Sequence, residues 1–452
     1  MEPVPLVIVE GFLSSAGAVL WGNFERHSTH ASQLNGEQHR RTIFASVGPV
    51  SSLHDRACEL FYSLIGGTVD YGHEHSREHK HSRYGRTYDT GLYPEWSEDR
   101  PLHFLGHSMG GPTITKLQWL LSTGHFGKAF SPHMILSVNT VSSPFRGTQL
   151  VYSLGEDRNS APNVRPLSPG DLLAKAVHLA AYLSPVLPRF LDLHADARAL
   201  SFRDTSLRSF MGQLWKSDWA ESRDATPYDA TFEAADERES LKEGAVNPKT
   251  FYRSYCATLV NSDGLPSDQP RRPDSWLSRA MAWPFHLSCS LIAAFDFSSL
   301  RPIPAFISTV ASASCASRHG STAAIEDGVL DVARSGDYLS FALRENDGVV
   351  PLFSQWHPFE CKSTRCRHFS HGDNILDQSK SSRYDRSPDA GIWHVHHLAE
   401  SHHFSIVPFW FGTQNQKAFW LDIGHWLRAV DRAHRGGMGA TQATSGDSDP
   451  TV

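Results

Sequence analysis

The stretch Leu102-His103-Phe104-Leu105-Gly106-His107-Ser108-Met109-Gly110-Gly111-Pro112 constrains this chain more than any other. A short apolar run climbs into Gly106-His107-Ser108-Met109-Gly110, and Ile114, Leu117, Trp119, Leu120 and Leu121 follow with helix-like spacing. Strand, tight turn and helix in that order make a nucleophile elbow. Such a turn strains the backbone of its central residue and leaves no room for side chains two positions to either side, so glycine stands at both. Ser108 is thereby held out at the tip. The helix behind it aims free amides and a positive dipole end at any oxyanion that forms there.

The flanking segments read as a parallel sheet. Pro5-Leu6-Val7-Ile8-Val9 is a buried strand ending in the turn Glu10-Gly11-Phe12-Leu13, Arg41 to Val47 a second, and Met134 to Val141 another, closed by Ser143-Pro144-Phe145-Arg146-Gly147-Thr148. Strand, helix, strand implies parallel pairing. Asp55 to Ile65 is a helix with apolar positions at Ala57, Leu60, Phe61 and Leu64. From Gly66 to Arg86 the periodicity dissolves into Gly, Tyr and the histidines His73, His75, His79 and His81, which reads as an insertion with its own purpose. Leu172, Leu173, Ala176, Val177, Ala180 and Leu183 mark the apolar face of a helix beyond the sheet's active edge, a candidate lid. Phe251 to Leu259 is a further strand, 262–275 a polar, Pro-rich loop, and Trp420 to Val430 a last helix. The tail from 435 to 452 has almost nothing to bury and is expected to be disordered.

Composition narrows the function classes. A net charge of -6 without any basic run gives no reason to expect nucleic acid. No apolar stretch approaches the ~18 residues of a membrane span. Met1 leads within a few residues into an apolar strand, without a charged n-region or cleavage site, so the chain as written reads as cytoplasmic. Six cysteines, Cys58, Cys256, Cys289, Cys315, Cys361 and Cys366, are too sparse in 452 residues for a disulfide framework. The 26 histidines, many clustered, raise the question of metal.

A serine hydroxyl needs a base to take its proton and a carboxylate to orient that base. In this arrangement the chain order is Ser, acid, His. Downstream of Ser108, Asp347 in Asn346-Asp347-Gly348-Val349-Val350 is the best acid, and Asp331 and Asp337 are weaker. For the base, His394, His396, His397, His402 and His403 all stand at a suitable place in the chain, and the residue types alone do not choose among them. Two backbone donors complete an oxyanion hole: one at Met109, after the nucleophile, and one in the loop after the first strand, where Phe12 is suitably placed.

These residues also carry a resemblance. Gly11-Phe12, Val47-Gly48-Pro49-Val50-Ser51-Ser52, Asp55-Arg56-Ala57-Cys58-Glu59, Gly66-Gly67-Thr68-Val69-Asp70-Tyr71-Gly72, His81-Ser82-Arg83-Tyr84-Gly85-Arg86-Thr87-Tyr88, Glu345-Asn346-Asp347-Gly348 and Val395-His396-His397-Leu398 resemble the zinc-containing bacterial lipases typified by the thermophilic Geobacillus and the staphylococcal enzymes. The resemblance covers most of residues 5 to 430, more weakly in 150–215 and 260–335. It implies an α/β-hydrolase fold over residues 1–434: a mostly parallel central sheet with helices on both faces, a zinc-bearing insertion at 66–88 and a lid within 150–235. It implies a triad of Ser108, Asp347 and His397, the last selected because it precedes leucine in the family's histidine motif. It further implies a structural zinc on Asp55, His75, His81 and Asp224. Two carboxylates and two neutral imidazoles suit such a closed four-coordinate site, which leaves no position for a catalytic water.

Some positions depart from the family. Glu10-Gly11 stands where relatives carry His-Gly, and Gly106 opens the elbow in place of alanine. The acid of the family's calcium site is displaced by one position in Leu398-Ala399-Glu400, so calcium is not expected to carry over. Cys361, Cys366, His368 and His371 are metal-like residue types at irregular spacing and are not expected to form a second metal site. The expected activity is serine ester hydrolysis of water-insoluble acylglycerols through an acyl-enzyme, with lipid or ester as the partner, at a lipid-water interface. Its rivals are a carboxylesterase on small soluble esters and a hydrolase-like protein that binds lipid without turnover. The family's habit of secretion conflicts with the bare N-terminus.

Overall fold

The computed structural model describes residues 2–14, 21, 24, 38–188, 192–259, 276–307, 329–330, 343–369 and 388–444. The strands are β1 (Leu6–Val9), β2 (Thr42–Ala45), β3 (Gly67–Asp70), β4 (Tyr84–Tyr88), β5 (Leu102–His107), β6 (Ile135–Val141), β7 (Phe251–Thr258), β8 (Val329–Leu330), β9 (Cys366–Phe369) and β10 (Trp393–Ala399). The helices used below are α1 (Leu53–Ile65), α2 (His73–His79), α3 (Gly110–Ser122), α4 (Gln149–Leu154), α5 (Pro169–Leu183), α6 (Leu207–Trp215), α7 (Phe232–Ser240), α8 (Trp276–Ala293), α9 (Leu352–Trp356) and α10 (Gln414–Thr444).

Eight strands form the central sheet in the order β2-β1-β5-β6-β7-β10-β9-β8, parallel throughout except where β8 meets β9. Alternation along β1 explains why both faces are covered. Val7 and Val9 point into one core with Leu60, Phe61 and Leu64 of α1 and Leu117 and Leu121 of α3. Leu6 and Ile8 point into the other, with Phe419, Ile423, Trp426 and Val430 of α10. Strands β5, β6 and β7 are buried along their whole length, as central parallel strands are. The mostly parallel sheet with helices on both faces is therefore as expected.

The insertion has more structure than its sequence suggested. Antiparallel β3 and β4 flank α2, and Arg83 pairs with Asp70 across the unit. Its segments are too short and too polar to show a period. The C-terminal helix corrects another expectation, since α10 continues to Thr444, well into the stretch from 435 read as disordered; 445–452 lie outside the described residues. So do Asp331, Asp337, His371, Cys315 and the whole of the expected loop at 262–275. Among the described residues no helix is long and apolar enough to cross a membrane.

A buried polar cluster fastens α10 to the sheet. Asp431 Oδ1 meets His103 Nε2 of β5 at 3.0 Å, and Asp431 Oδ2 meets Arg40 at 2.8 Å. Against the upward push of burial, His103 and Arg40 hold the Asp431 carboxyl down at about 2. A depressed folded pKa makes this contribution complete above the unfolded value near 4 and lost as pH falls towards 2. Removing one partner from a buried pair costs about 3 kcal/mol or more. Asp431→Asn is therefore expected to lower unfolding free energy by that amount in urea melts at neutral pH, with the carboxylate's share of the difference fading between pH 4 and pH 2.

Candidate active site and metal centre

Ser108 stands between β5 and α3 with φ of 53°, in the left-handed region. Its amide donates to Val141 O at 3.0 Å, and its carbonyl accepts from Gly111 N at 3.1 Å, so the neighbouring strand and the helix start hold the strained turn. A Cβ on Gly106 would lie 2.5 Å from the Gly110 carbonyl carbon, which is why this crossing takes glycine. The loop after β1 presses onto the nucleophile from above. A Cβ on Gly11 would come within 2.8 Å of Ser108 Cβ and 3.4 Å of Ser108 Oγ, so Gly11-Phe12 passes directly over the serine. Phe12 and Met109, the two expected oxyanion donors, both line the cavity that opens at Ser108.

Asp347 is fully buried. Its Oδ1 accepts from the amides of Val349 and Val350 at 2.9 and 2.7 Å, and its Oδ2 meets His403 Nδ1 at 2.9 Å. The His403 amide donates to the Asp347 carbonyl at 3.0 Å, which locks ring and backbone to the same residue. His403 also adjoins the elbow. His107, next to the serine, donates from Nε2 to the His403 carbonyl at 2.9 Å, and the two rings lie 4.9 Å apart. Burial, with His403 nearby, pushes His107 down to about 3 and keeps it neutral.

The histidine placed against Asp347 is His403, where His397 was expected. His397 lies inside β10, paired in register with Cys256, and Asp347 faces His403 on the loop beyond that strand. The other candidate histidines have different neighbours. His394 meets Tyr252 O at 3.2 Å, His396 stacks on Phe369, and His402 stacks on Phe285. Burial lowers His394 and His402 to about 4.

The cavity at Ser108 has a volume of about 140 Å³ and an almost wholly apolar wall, including Val151, Leu154, Leu173, Val177, Trp219 and Val350. Leu173, Ala174 and Val177 come from α5, so the expected lid helix roofs it. Glu156 is the acidic residue in the wall, and burial pushes it up to about 8, which leaves it protonated and the cavity uncharged near neutrality. The fully buried Arg56 joins the surrounding loops. It donates from Nε to Thr113 of α3 at 2.9 Å, from Nη1 to Gly48 O at 2.7 Å and from Nη2 to Glu10 O, at the start of the oxyanion loop.

Asp55, His75, His81 and Asp224 come together from α1, α2, the turn before β4 and the segment before α7, with one ligand atom of each within 4.8 Å of all the others. His75 Nε2 lies 3.1 Å from Asp55 Oδ1 and 3.2 Å from Asp224 Oδ1, and His81 Nε2 lies 3.4 Å from Asp224 Oδ2. With His81 Nε2 also 3.9 Å from Asp55 Oδ1, these separations bracket the edges of about 3.3 Å of a tetrahedron with bonds near 2.0 Å. His81 Nδ1 donates to Ser82 O at 2.8 Å, which leaves Nε2 as the nitrogen with a lone pair. That Nε2 and Asp224 Oδ1 are buried without hydrogen-bond partners, so the donor set fits a cation. Arg198 spans Asp55 Oδ2 and Asp224 Oδ2 and rests on Trp219, which couples the cluster to the cavity wall.

Residues 3–161 match the family described as lipase-like, C-terminal domain. The lipase of Staphylococcus hyicus is 31% identical over 284 residues, which cover 58% of this chain and 41% of that protein. Lipase 1 of Staphylococcus aureus is 27% identical over 450 residues, covering 88% and 54%. The crystal structure of Staphylococcus hyicus lipase superposes with a TM-score of 0.64 at 22% sequence identity, over 95% of this chain and 96% of that one. The chain resembles the staphylococcal lipases. It spans about half the length of these two relatives, and it shares with the solved lipase the α/β-hydrolase fold.

His397 lies within a strand, whereas His403 lies beyond its end. Trp393, Val395 and Leu398 are the buried apolar residues of a strand, and functional side chains in such sheets sit beyond the strand ends. The buried apolar residues on either side of His397 were the signal in the sequence that it lies within the strand, with His402 and His403 beyond it. Because Asp347 pairs with His403, His403→Gln is expected to slow modification of Ser108 by a fluorophosphonate roughly 10³-fold or more, with His397→Gln staying near wild type. Peptide mass spectrometry of the adduct over time measures both.

Proposed function

We propose that the chain is a carboxylic ester hydrolase of lipase type, with Ser108, His403 and Asp347 as its triad. The observation that carries this reading is a serine in a strained elbow, beside a buried His–Asp pair, opening into an apolar cavity. With Nδ1–H donating to Asp347, His403 keeps Nε2 as its basic nitrogen. Ser108 Oγ attacks the ester carbonyl as its proton passes to His403 Nε2, and the oxyanion is received by the amides of Phe12 and Met109. The protonated imidazole returns that proton to the leaving alcohol, and water then releases the acid from the acyl-enzyme by the same route.

The lid favours an insoluble acylglycerol over a small dissolved ester. On α5 the side turned from the cavity exposes Leu172, Leu179 and Leu183, and α6 exposes Leu207, Met211 and Trp215, the last at 90%. On α8, which covers the Asp347 turn through Phe285 and Cys289, the residues Trp283, Leu287 and Leu291 form an exposed stripe. So much apolar surface around one cavity suits a lipid–water interface. Asp55, His75, His81 and Asp224 would hold a structural zinc. Bound there, the ion supplies a cross-link between α1, the insertion and the cavity wall, away from the reacting atoms.

The decisive assay compares long-chain triacylglycerol emulsions with short-chain esters below their solubility limit. A jump in rate when the substrate forms an interface is expected, and equal or faster turnover of dissolved short esters would assign the chain to the soluble-ester reading. For the metal, Asp224→Ala is expected to lose one zinc per chain in elemental analysis and to lower Tm, while Ser108 still reacts with the fluorophosphonate at low temperature.

A further inference from the structure

A second group of metal-ligating side chains lies outside the site described so far. His357, Cys361, Cys366 and His368 bring one ligand atom each within 4.8 Å of all the others. They come from the residue just after α9, the turn that follows it and the first and third residues of β9. We propose that these four residues bind a structural zinc ion, which clamps the segment following Asp347 to the edge of the central sheet.

The separations fit a metal that both side-chain types share. Cys361 Sγ lies 3.5 Å from His357 Nε2 and 3.5 Å from His368 Nε2. With zinc bonds of about 2.3 Å to sulfur and 2.0–2.1 Å to nitrogen, a tetrahedron has sulfur–nitrogen edges of about 3.5 Å. The ring orientations agree. His357 Nδ1 donates to Phe359 O at 2.8 Å, so its proton is on that nitrogen and Nε2 presents a lone pair towards the sulfur. His368 is set by packing, with its ring edge-on to Trp356 at 4.9 Å. Both imidazoles are almost fully buried, and both cysteines are half-buried and unbridged. Two thiolates cancel the charge of a divalent ion, and four protein ligands leave no open position, so the ion is structural.

The location gives the clamp its purpose. Strand β9 is four residues long and, among the described residues, carries the two-residue β8 on its outer side. In register, Cys366 faces Trp393 and His368 faces Val395 of β10, the strand whose far end leads to His403. His357 closes α9, which begins just after the Asp347 turn. A zinc here therefore ties the segments leading from the acid and towards the base across one edge of the sheet.

The full-length protein, purified under reducing conditions, provides the test by elemental analysis. The Cys361→Ser/Cys366→Ser double variant is expected to hold one zinc per chain fewer than wild type, and Asp224→Ala to keep the zinc that these cysteines hold. The wild type carries the test by itself if the double variant fails to fold. In zinc-loaded protein Cys361 and Cys366 should resist iodoacetamide, and both should react once a chelator has removed the metal, as read by peptide mass spectrometry. Equal zinc in wild type and a folded double variant would overturn the proposal. So would alkylation of both thiols at the same rate before and after zinc removal, or a Cys361–Cys366 disulfide in zinc-supplemented protein.

Discussion

The strained backbone at Ser108 is the constraint on which the rest of the molecule turns. A residue with φ of 53° between a strand and a helix persists only where its surroundings over-determine it. Here Val141 of β6 takes its amide, the start of α3 takes its carbonyl, and the Gly11 loop closes over it without space for a methyl group. Each of these partners belongs to a different neighbour of β5. The serine can therefore stand at the tip only once β1, β5, β6 and α3 are in register.

Buried charges extend that rigidity outward. Arg56 is fully enclosed, and burial lowers it only to about 10, so it stays charged among carbonyls and a hydroxyl from three segments. One helical turn later, Glu59 accepts from the Gly48 amide at 2.7 Å, from the Tyr71 hydroxyl at 3.1 Å and from His194 at 2.6 Å. Burial pushes the Glu59 carboxyl up, and His194 with the Gly48 amide holds it below its ordinary value. Through these two residues α1 links the loop after β1, the insertion and the segment around His194. Asp55 on the same helix joins His75, His81 and Asp224. An apolar helix face and a polar one thus serve different purposes: the first fills the core, and the second fixes loop positions.

How legible each part was follows from the range of the interactions that make it. The strands β1, β5, β6 and β7 were visible because burial on both faces writes an unbroken apolar run into the sequence. The elbow was visible because its glycines and serine are contiguous. Asp55, His75, His81 and Asp224 came from resemblance rather than spacing, and folding brings them together from positions as far apart as α1 and the segment before α7. The partner of Asp347 was not legible because five histidines crowd into ten residues and only the edge of β10 separates those in the strand from those on the loop. His357 escaped notice beside Cys361 because Pro358 and Phe359 interrupt any regular ligand pattern.

The sequence by itself determined the sheet core, the Ser108 elbow and the Asp347 turn, since each rests on neighbours in the chain: apolar runs, a Gly-x-Ser-x-Gly turn, and a carboxylate whose own next residues cap it. Only the tertiary structure decided which histidine meets that carboxylate and which side chains can share a metal. Those choices depend on where strands end and how distant segments are clamped against them. A pairing across 56 positions between Asp347 and His403 leaves no periodic trace, because its geometry is set by the packing of β7, β10 and the loops above them.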